Sequence, residues 1–246
     1  MTVHLERQGP DDVVAVLTLD RPERRNALDH DTLGELIELL GQVKASAPRA
    51  VVLTGASGHF CAGADLSGVE DPAFTTYLQH VLDRIRRLPC PTIAAVEGAA
   101  LGAGTQLAVA CDLRVATPGA TFGIPAAKLG LMVDHWTVQR VALLLGPSLA
   151  RPVLLAAETL SGADAHRVGF VHRIGTPAEA LDWAGRIAEL APLTIAGHKL
   201  MLDKLEEPPA TDSDVAAARN RAWSSEDLAE GLDAFRNRRT PTFHGR

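Results

Sequence analysis

The sequence predicts an α/β fold with an α-helical C-terminal extension, on three observations. Short β-branched runs alternate with segments of helical periodicity between Val13 and Ala116. From Thr137 onward the pattern is almost wholly helical, with one strand-like stretch at Phe170 to Ile174. No flexible linker separates the two parts and no residue pattern recurs at a fixed period. We therefore expect one structural unit, with a core over 1–190 and a helical region over 191–246.

Val13 to Leu19 is a β-branched run preceded by the turn-like Gly9-Pro10-Asp11-Asp12, and Val3 to Leu5 lies before that turn, which reads as an opening hairpin. Asp29 is placed to cap a helix on which Leu33, Leu36, Ile37, Leu40 and Val43 share a face, ending before Pro48. Ala50 to Thr54 reads as a buried strand running into the small residues Gly55-Ala56-Ser57-Gly58. A helix from about Phe74 to Leu88 stops before Pro89 and Pro91, and Thr92 to Val96 is the next strand. A Gly/Ala-rich loop follows, then a helix over Ala103 to Ala110 and a strand over Leu113 to Ala116. Later helices are expected near 178–190, 193–205, 212–222 and 226–236, with Glu206 to Ala210 as a loop between two of them.

Composition excludes several classes of function. The 24 Lys+Arg against 30 Asp+Glu give a formal charge of −6, unsuited to a phosphate polymer, so nucleic acid is not an expected partner. The longest apolar region, Thr92 to Leu113, is broken by Glu97, Gln106 and Asp112, and no membrane span is expected from it. The first residues lack a basic segment followed by an apolar run, so no secretory signal is expected. Cys61, Cys90 and Cys111 have neither paired nor metal-like spacing, which fits a reducing, cytoplasmic location. No His-x-x-x-His or His-Glu-x-x-His occurs among the nine histidines, so no metal ligand set is expected. Gly102-Ala103-Gly104-Thr105-Gln106-Leu107 begins like a dinucleotide fingerprint but has Leu107 where the third glycine belongs. No separate cofactor is therefore expected.

Three stretches carry a stronger signal together. They are Asp20-Arg21-Pro22-Glu23-Arg24-Arg25-Asn26-Ala27-Leu28, then His59-Phe60-Cys61-Ala62-Gly63-Ala64-Asp65-Leu66, then Gly98-Ala99-Ala100-Leu101-Gly102-Ala103-Gly104-Thr105-Gln106. The third continues through Cys111-Asp112 to Phe122-Gly123-Ile124-Pro125 and Leu129-Gly130-Leu131. In this order and spacing, with a tail from Glu226 to Phe243, the chain resembles the enoyl-CoA hydratase/isomerase (crotonase) superfamily over nearly its whole length. The resemblance implies a crotonase-like spiral of strand–strand–helix turns with a C-terminal trimerisation region, assembled as a homotrimer or dimer of trimers. It implies an acyl-CoA thioester as ligand, coenzyme A arriving as part of that ligand. By the same resemblance Ala64 and Ala103 supply the two oxyanion-hole N–H groups, while Arg25, Ala27, Ala62, Asp65 and Leu66 lie against coenzyme A. The chemistry is suited to a thioester: attack at the β-carbon, or loss of an α-proton, places negative charge on the carbonyl oxygen, where preorganised N–H donors stabilise it.

The pattern breaks at two positions. Where hydratases of the family carry two glutamates that hold and activate water, this chain has Gln106 and Ala126. An amide cannot serve as a carboxylate base and a methyl group neither donates nor accepts. Asp134 stands where dienoyl-CoA isomerases of the superfamily use an aspartate for proton transfer; it is equally placed to cap the helix beginning near His135. Trp136 is read as core or as part of a reshaped acyl tunnel. The sequence thus leads to an acyl-CoA-binding protein of fatty-acid metabolism without hydratase activity. The alternatives are an enoyl- or dienoyl-CoA isomerase or acyl-CoA hydrolase using Asp134, or a hydratase by family.

Overall fold

The computed structural model describes residues 1–66, 71–205, 217, 220, 221 and 223–244. The expected 206–210 loop and 212–222 helix fall largely outside the described residues. Two compact units emerge, one formed by 1–122 and 160–205, the other by 123–159 and 206–246.

The first unit is built on a six-stranded sheet of order β1-β2-β3-β4-β6-β9. Its strands are β1 (Val3–Gln8), β2 (Val14–Leu19), β3 (Ala50–Gly55), β4 (Thr92–Val96), β6 (Leu113–Ala116) and β9 (Arg173–Ile174). The hairpin β1–β2 is antiparallel, and every later pair is parallel. A mostly parallel sheet buries both faces, which is why β3 and β4 read as unbroken apolar runs. One face, carried by Val14, Val16, Ala50, Val52, Ile93, Ala95 and Val115, packs on Ala180, Ala184, Ile187 and Ala188 of helix α6 (Pro177–Ala188).

Helix α1 (His30–Ser46) begins where Asp29 accepts a hydrogen bond from the Thr32 N–H at 2.8 Å, and it buries Leu33, Leu36, Leu40 and Val43. This is the expected cap and face. Helix α2 (Pro72–Arg86) packs against α1, and helix α3 (Ala103–Ala110) is buried on every side, consistent with its lack of a polar face. A second sheet of order β5-β7-β8 was not anticipated: β5 (Ala99–Leu101), β7 (Thr121–Gly123) and β8 (Thr159–Ser161) are each three residues long, too short to show alternation. Of the strand expected at 170–174 only Arg173–Ile174 pairs. Helices α5 (Gly162–Arg167) and α7 (Pro192–Leu205) complete this unit. On α7, Lys199 Nζ donates to Asp112 at 2.6 Å and to the Cys90 carbonyl at 3.3 Å, fixing that face of the helix inward.

The second unit holds the 3-10 turn Pro125–Leu129, helix α4 (His135–Leu155) and helix α8 (Glu226–Arg236). By length and composition α4 is the one helix among the described residues able to cross a membrane. Its backbone leaves the helical region at Gly146 (φ 75°, ψ 152°), however, so neither half approaches the roughly 20 residues a span needs. Helix α8 packs on the 125–129 turn, Leu228 and Leu232 are buried, and Phe235 is 60% exposed.

Candidate functional site

Because β2, β3 and β4 run parallel, the segments that follow them emerge at one edge of the sheet, the usual place for a ligand on such a fold. The first segment, 20–29, turns sharply, with Arg25 and Asn26 both in the left-handed region (φ 50° and 58°). Asn26 suits such a position because its short amide tolerates that backbone and bonds locally. Its Oδ1 accepts from the Arg21 N–H at 2.9 Å, and its Nδ2 donates to the carbonyls of Ala56 at 3.0 Å and His59 at 2.6 Å. At 1% exposure it is a buried pin between the first segment and the second.

The second segment, 60–65, lies between its neighbours like a rung. On one side the Ala62 N–H donates to the Arg25 carbonyl (3.0 Å), Leu28 N–H to Gly63 (2.8 Å) and Asp65 N–H to Leu28 (2.7 Å). On the other side Phe60 N–H donates to Glu97 (2.8 Å), Cys61 N–H to Ala99 (2.8 Å) and Leu101 N–H back to Cys61 (3.0 Å). Two glycines permit this approach. Gly63 has φ 114°, and a Cβ there would stand 2.9 Å from the Leu101 carbonyl oxygen and 3.9 Å from the Ala103 nitrogen. A Cβ on Gly104 would stand 2.1 Å from the Cys61 carbonyl oxygen.

The two predicted donors are thereby brought together. Ala64 follows Gly63 and pairs with Leu28 so that its own N–H is not used in that pairing; Ala103 is the first residue of α3. Among the described residues neither N–H has a protein acceptor. At a helix start the N–H groups have no partner within the helix, and the helix dipole favours negative charge there. Gln106 lies on α3, one turn beyond Ala103, and is buried. Arg25 is exposed on its left-handed turn, Ala27 is buried, and Ala62, Asp65 and Leu66 are half-buried on the rung. Ala126 and Asp134 belong to the second unit. Ala126 is half-buried in the 3-10 turn. Asp134 caps α4, its Oδ1 accepting from the Thr137 N–H at 3.0 Å and its Oδ2 from the Thr137 hydroxyl at 2.6 Å.

Cys61, in the middle of the rung, is no nucleophile: burial pushes its thiol up to about 12, against a weak contact with the Gly63 carbonyl. The described residues contain no group of three or more His, Cys, Asp or Glu placed to hold a metal ion. Sequence reasoning passed over Arg21 in favour of Arg25. Arg21 is the more connected, donating to the Ala27 carbonyl at 2.7 Å and pairing with Asp29 at 3.0 Å and Asp65 at 3.3 Å. The available signal was a basic residue fixed between Asp20 and Pro22, at the start of a turn-forming segment.

Two neighbouring main-chain N–H groups without protein acceptors among the described residues, at the carboxyl edge of a parallel sheet, are chemically suited to an oxygen that gains negative charge. Comparison with known proteins identifies the family. The family description "Enoyl-CoA hydratase/isomerase" matches residues 10–246. "Probable enoyl-CoA hydratase echA6" of Mycobacterium tuberculosis is 40% identical over 240 residues, covering 95% of this chain and 97% of that protein. Among solved structures, an enoyl-CoA hydratase/carnithine racemase from Magnetospirillum magneticum is 30% identical, with a TM-score of 0.78 over 100% of this chain and 96% of that one. Methylmalonyl-CoA decarboxylase superposes with a TM-score of 0.91 at 25% identity, over 100% and 99% of the two chains. The chain belongs to the enoyl-CoA hydratase/isomerase family, has the crotonase fold, and is a protein of acyl-CoA metabolism.

Proposed function

We propose that the chain holds an acyl-CoA thioester with its carbonyl oxygen between the N–H groups of Ala64 and Ala103, and that it does not hydrate enoyl-CoA at a useful rate. The observation that carries this reading is the pair of adjacent main-chain donors without protein acceptors, beside a buried Gln106 in place of a carboxylate. Gln106 keeps hydrogen-bonding capacity at that station but cannot serve as a carboxylate base, and the Ala126 side chain has no polar group. Each lost acid–base group removes roughly 10²- to 10⁴-fold in rate, which the oxyanion donors alone do not restore. Coenzyme A lies along Arg25, Ala27, Ala62, Asp65 and Leu66, with the Arg25 guanidinium, exposed at the rim, toward phosphate. The assembly is a homotrimer or a dimer of trimers, supported by the exposed apolar side chains of α7 and α8. Three unpaired, buried thiols suit a cytoplasmic setting. In a calorimetric titration a long-chain acyl-CoA is expected to bind with a Kd of about micromolar, several-fold tighter than free coenzyme A. Equal affinity for the two would remove the carbonyl from the account, and no binding would remove the site.

A further inference from the structure

Arg21 closes a ring of hydrogen bonds around the Ala64 donor. Leu28 brackets Ala64 on both sides, its N–H donating to the Gly63 carbonyl and its carbonyl accepting from the Asp65 N–H. The Arg21 guanidinium grips the residues on either side of Leu28, through the Ala27 carbonyl at 2.7 Å and Asp29 Oδ2 at 3.0 Å. It then reaches across to Asp65 Oδ2 at 3.3 Å, the residue after Ala64. Both edges of the pairing that orients the Ala64 N–H are therefore tied to one rigid cation. The side chains of Arg21 and Asp65 are 14% and 13% exposed, so these contacts are poorly screened by water. Asp29 and Asp65 also repel one another; against burial, the hydrogen bonds from Thr32 first, and then the Arg21 charge, hold the Asp29 carboxyl below its usual range.

We propose that Arg21 is a positioning residue for the thioester carbonyl, setting the direction of the Ala64 N–H without touching the ligand's reacting atoms. The proposal rests on the reading of Ala64 and Ala103 as the oxyanion donors. A planar fork suits the three acceptors, since Nη1 meets the Ala27 carbonyl and Asp29 while Nη2 meets Asp65; a lysine offers a point charge that meets one or two of them. With Arg21 removed, the tie between the 27–29 segment and Asp65 is lost and the repulsion between Asp29 and Asp65 is no longer offset there, which loosens the pairing of Ala64 with Leu28.

The readout is the infrared carbonyl stretch of an acyl-CoA carrying ¹³C at the thioester carbon, measured bound and free. Two converging donors lower that frequency on binding. Arg21→Met, with its fold checked by circular dichroism, is expected to forfeit about half of the downshift, one donor's share, and to weaken acyl-CoA binding roughly tenfold. Arg21→Lys should recover part of both. Asp65→Asn, which spares the hold on Ala27 and Asp29, should forfeit less of the downshift than Arg21→Met and provides the test if that variant does not fold. A wild-type downshift that persists in full in Arg21→Met, or in Asp65→Asn where the former is unfolded, would overturn the proposal while leaving the oxyanion reading intact. A wild-type protein that binds acyl-CoA without lowering the frequency would overturn both.

Discussion

At the scale of single residues, the site depends on groups that hold backbone rather than touch ligand. Asn26 serves three partners from one buried amide, so Asn26→Ala leaves the Arg21 N–H and the carbonyls of Ala56 and His59 without it. Buried groups stripped of their partner each cost about 1–3 kcal/mol, and urea unfolding should show a loss of about 2–4 kcal/mol with the m-value unchanged. A loss under about 0.5 kcal/mol would mean that the segments 20–29 and 56–60 do not depend on this pin. The positions of Ala64 and Ala103 were legible in the sequence because they are small residues beside glycines, in motifs whose order identified the family. Arg21 was not, because its partner Asp65 lies 44 residues away and comes within reach only through the pairing of Leu28 with Ala64. Asp134 was open between cap and base in the sequence, and its hydrogen bonds to Thr137 establish the capping geometry.

At the scale of elements, caps, breakers and periodicity located several helices. Helix α8 falls on the expected 226–236, α3 on 103–110, and α1 starts at its expected cap. The three-residue strands β5, β7 and β8 escaped because no alternation can be read in three residues, and Ala99–Leu101 has no β-branched member. Helix α8 also anchors the chain that follows it. Arg239 pairs with Glu230 at 2.6 Å and Asp233 at 2.6 Å, and the Thr242 N–H donates to Glu230 at 2.8 Å. The Arg239 side chain first, and then the Thr242 N–H, hold the Glu230 carboxyl down to about 2. A carboxyl depressed on folding favours the docked tail above its ordinary pKa of 4.5, and that contribution fades as pH falls through about 2. The amide resonances of Thr242 and His244 should therefore move toward unstructured values between those limits, and in Glu230→Gln they should do so already at neutral pH. Tail resonances indifferent to both changes would contradict the clamp.

At the scale of the whole molecule, the outward face of α7 points to assembly. Lys199 holds one side of the helix to Asp112 and Cys90, while Leu193 and Leu200, seven residues apart and so on one face, are 87% and 58% exposed. Light scattering should give three or six times the 26.1 kDa of the chain, and Leu193→Glu with Leu200→Glu should lower that mass; a 26.1 kDa particle from the unaltered protein would contradict the trimer. The central claim is that the carbonyl grip of this family survives here while the proton-handling pair is gone. The most direct test is crotonyl-CoA hydration, followed by loss of the enoyl absorbance at saturating ligand. The account predicts binding with hydration at least about 10⁴-fold slower than a two-glutamate hydratase achieves, and a gain when Gln106→Glu and Ala126→Glu are introduced together. Rapid hydration by the unaltered chain, undiminished in Gln106→Ala, would contradict it.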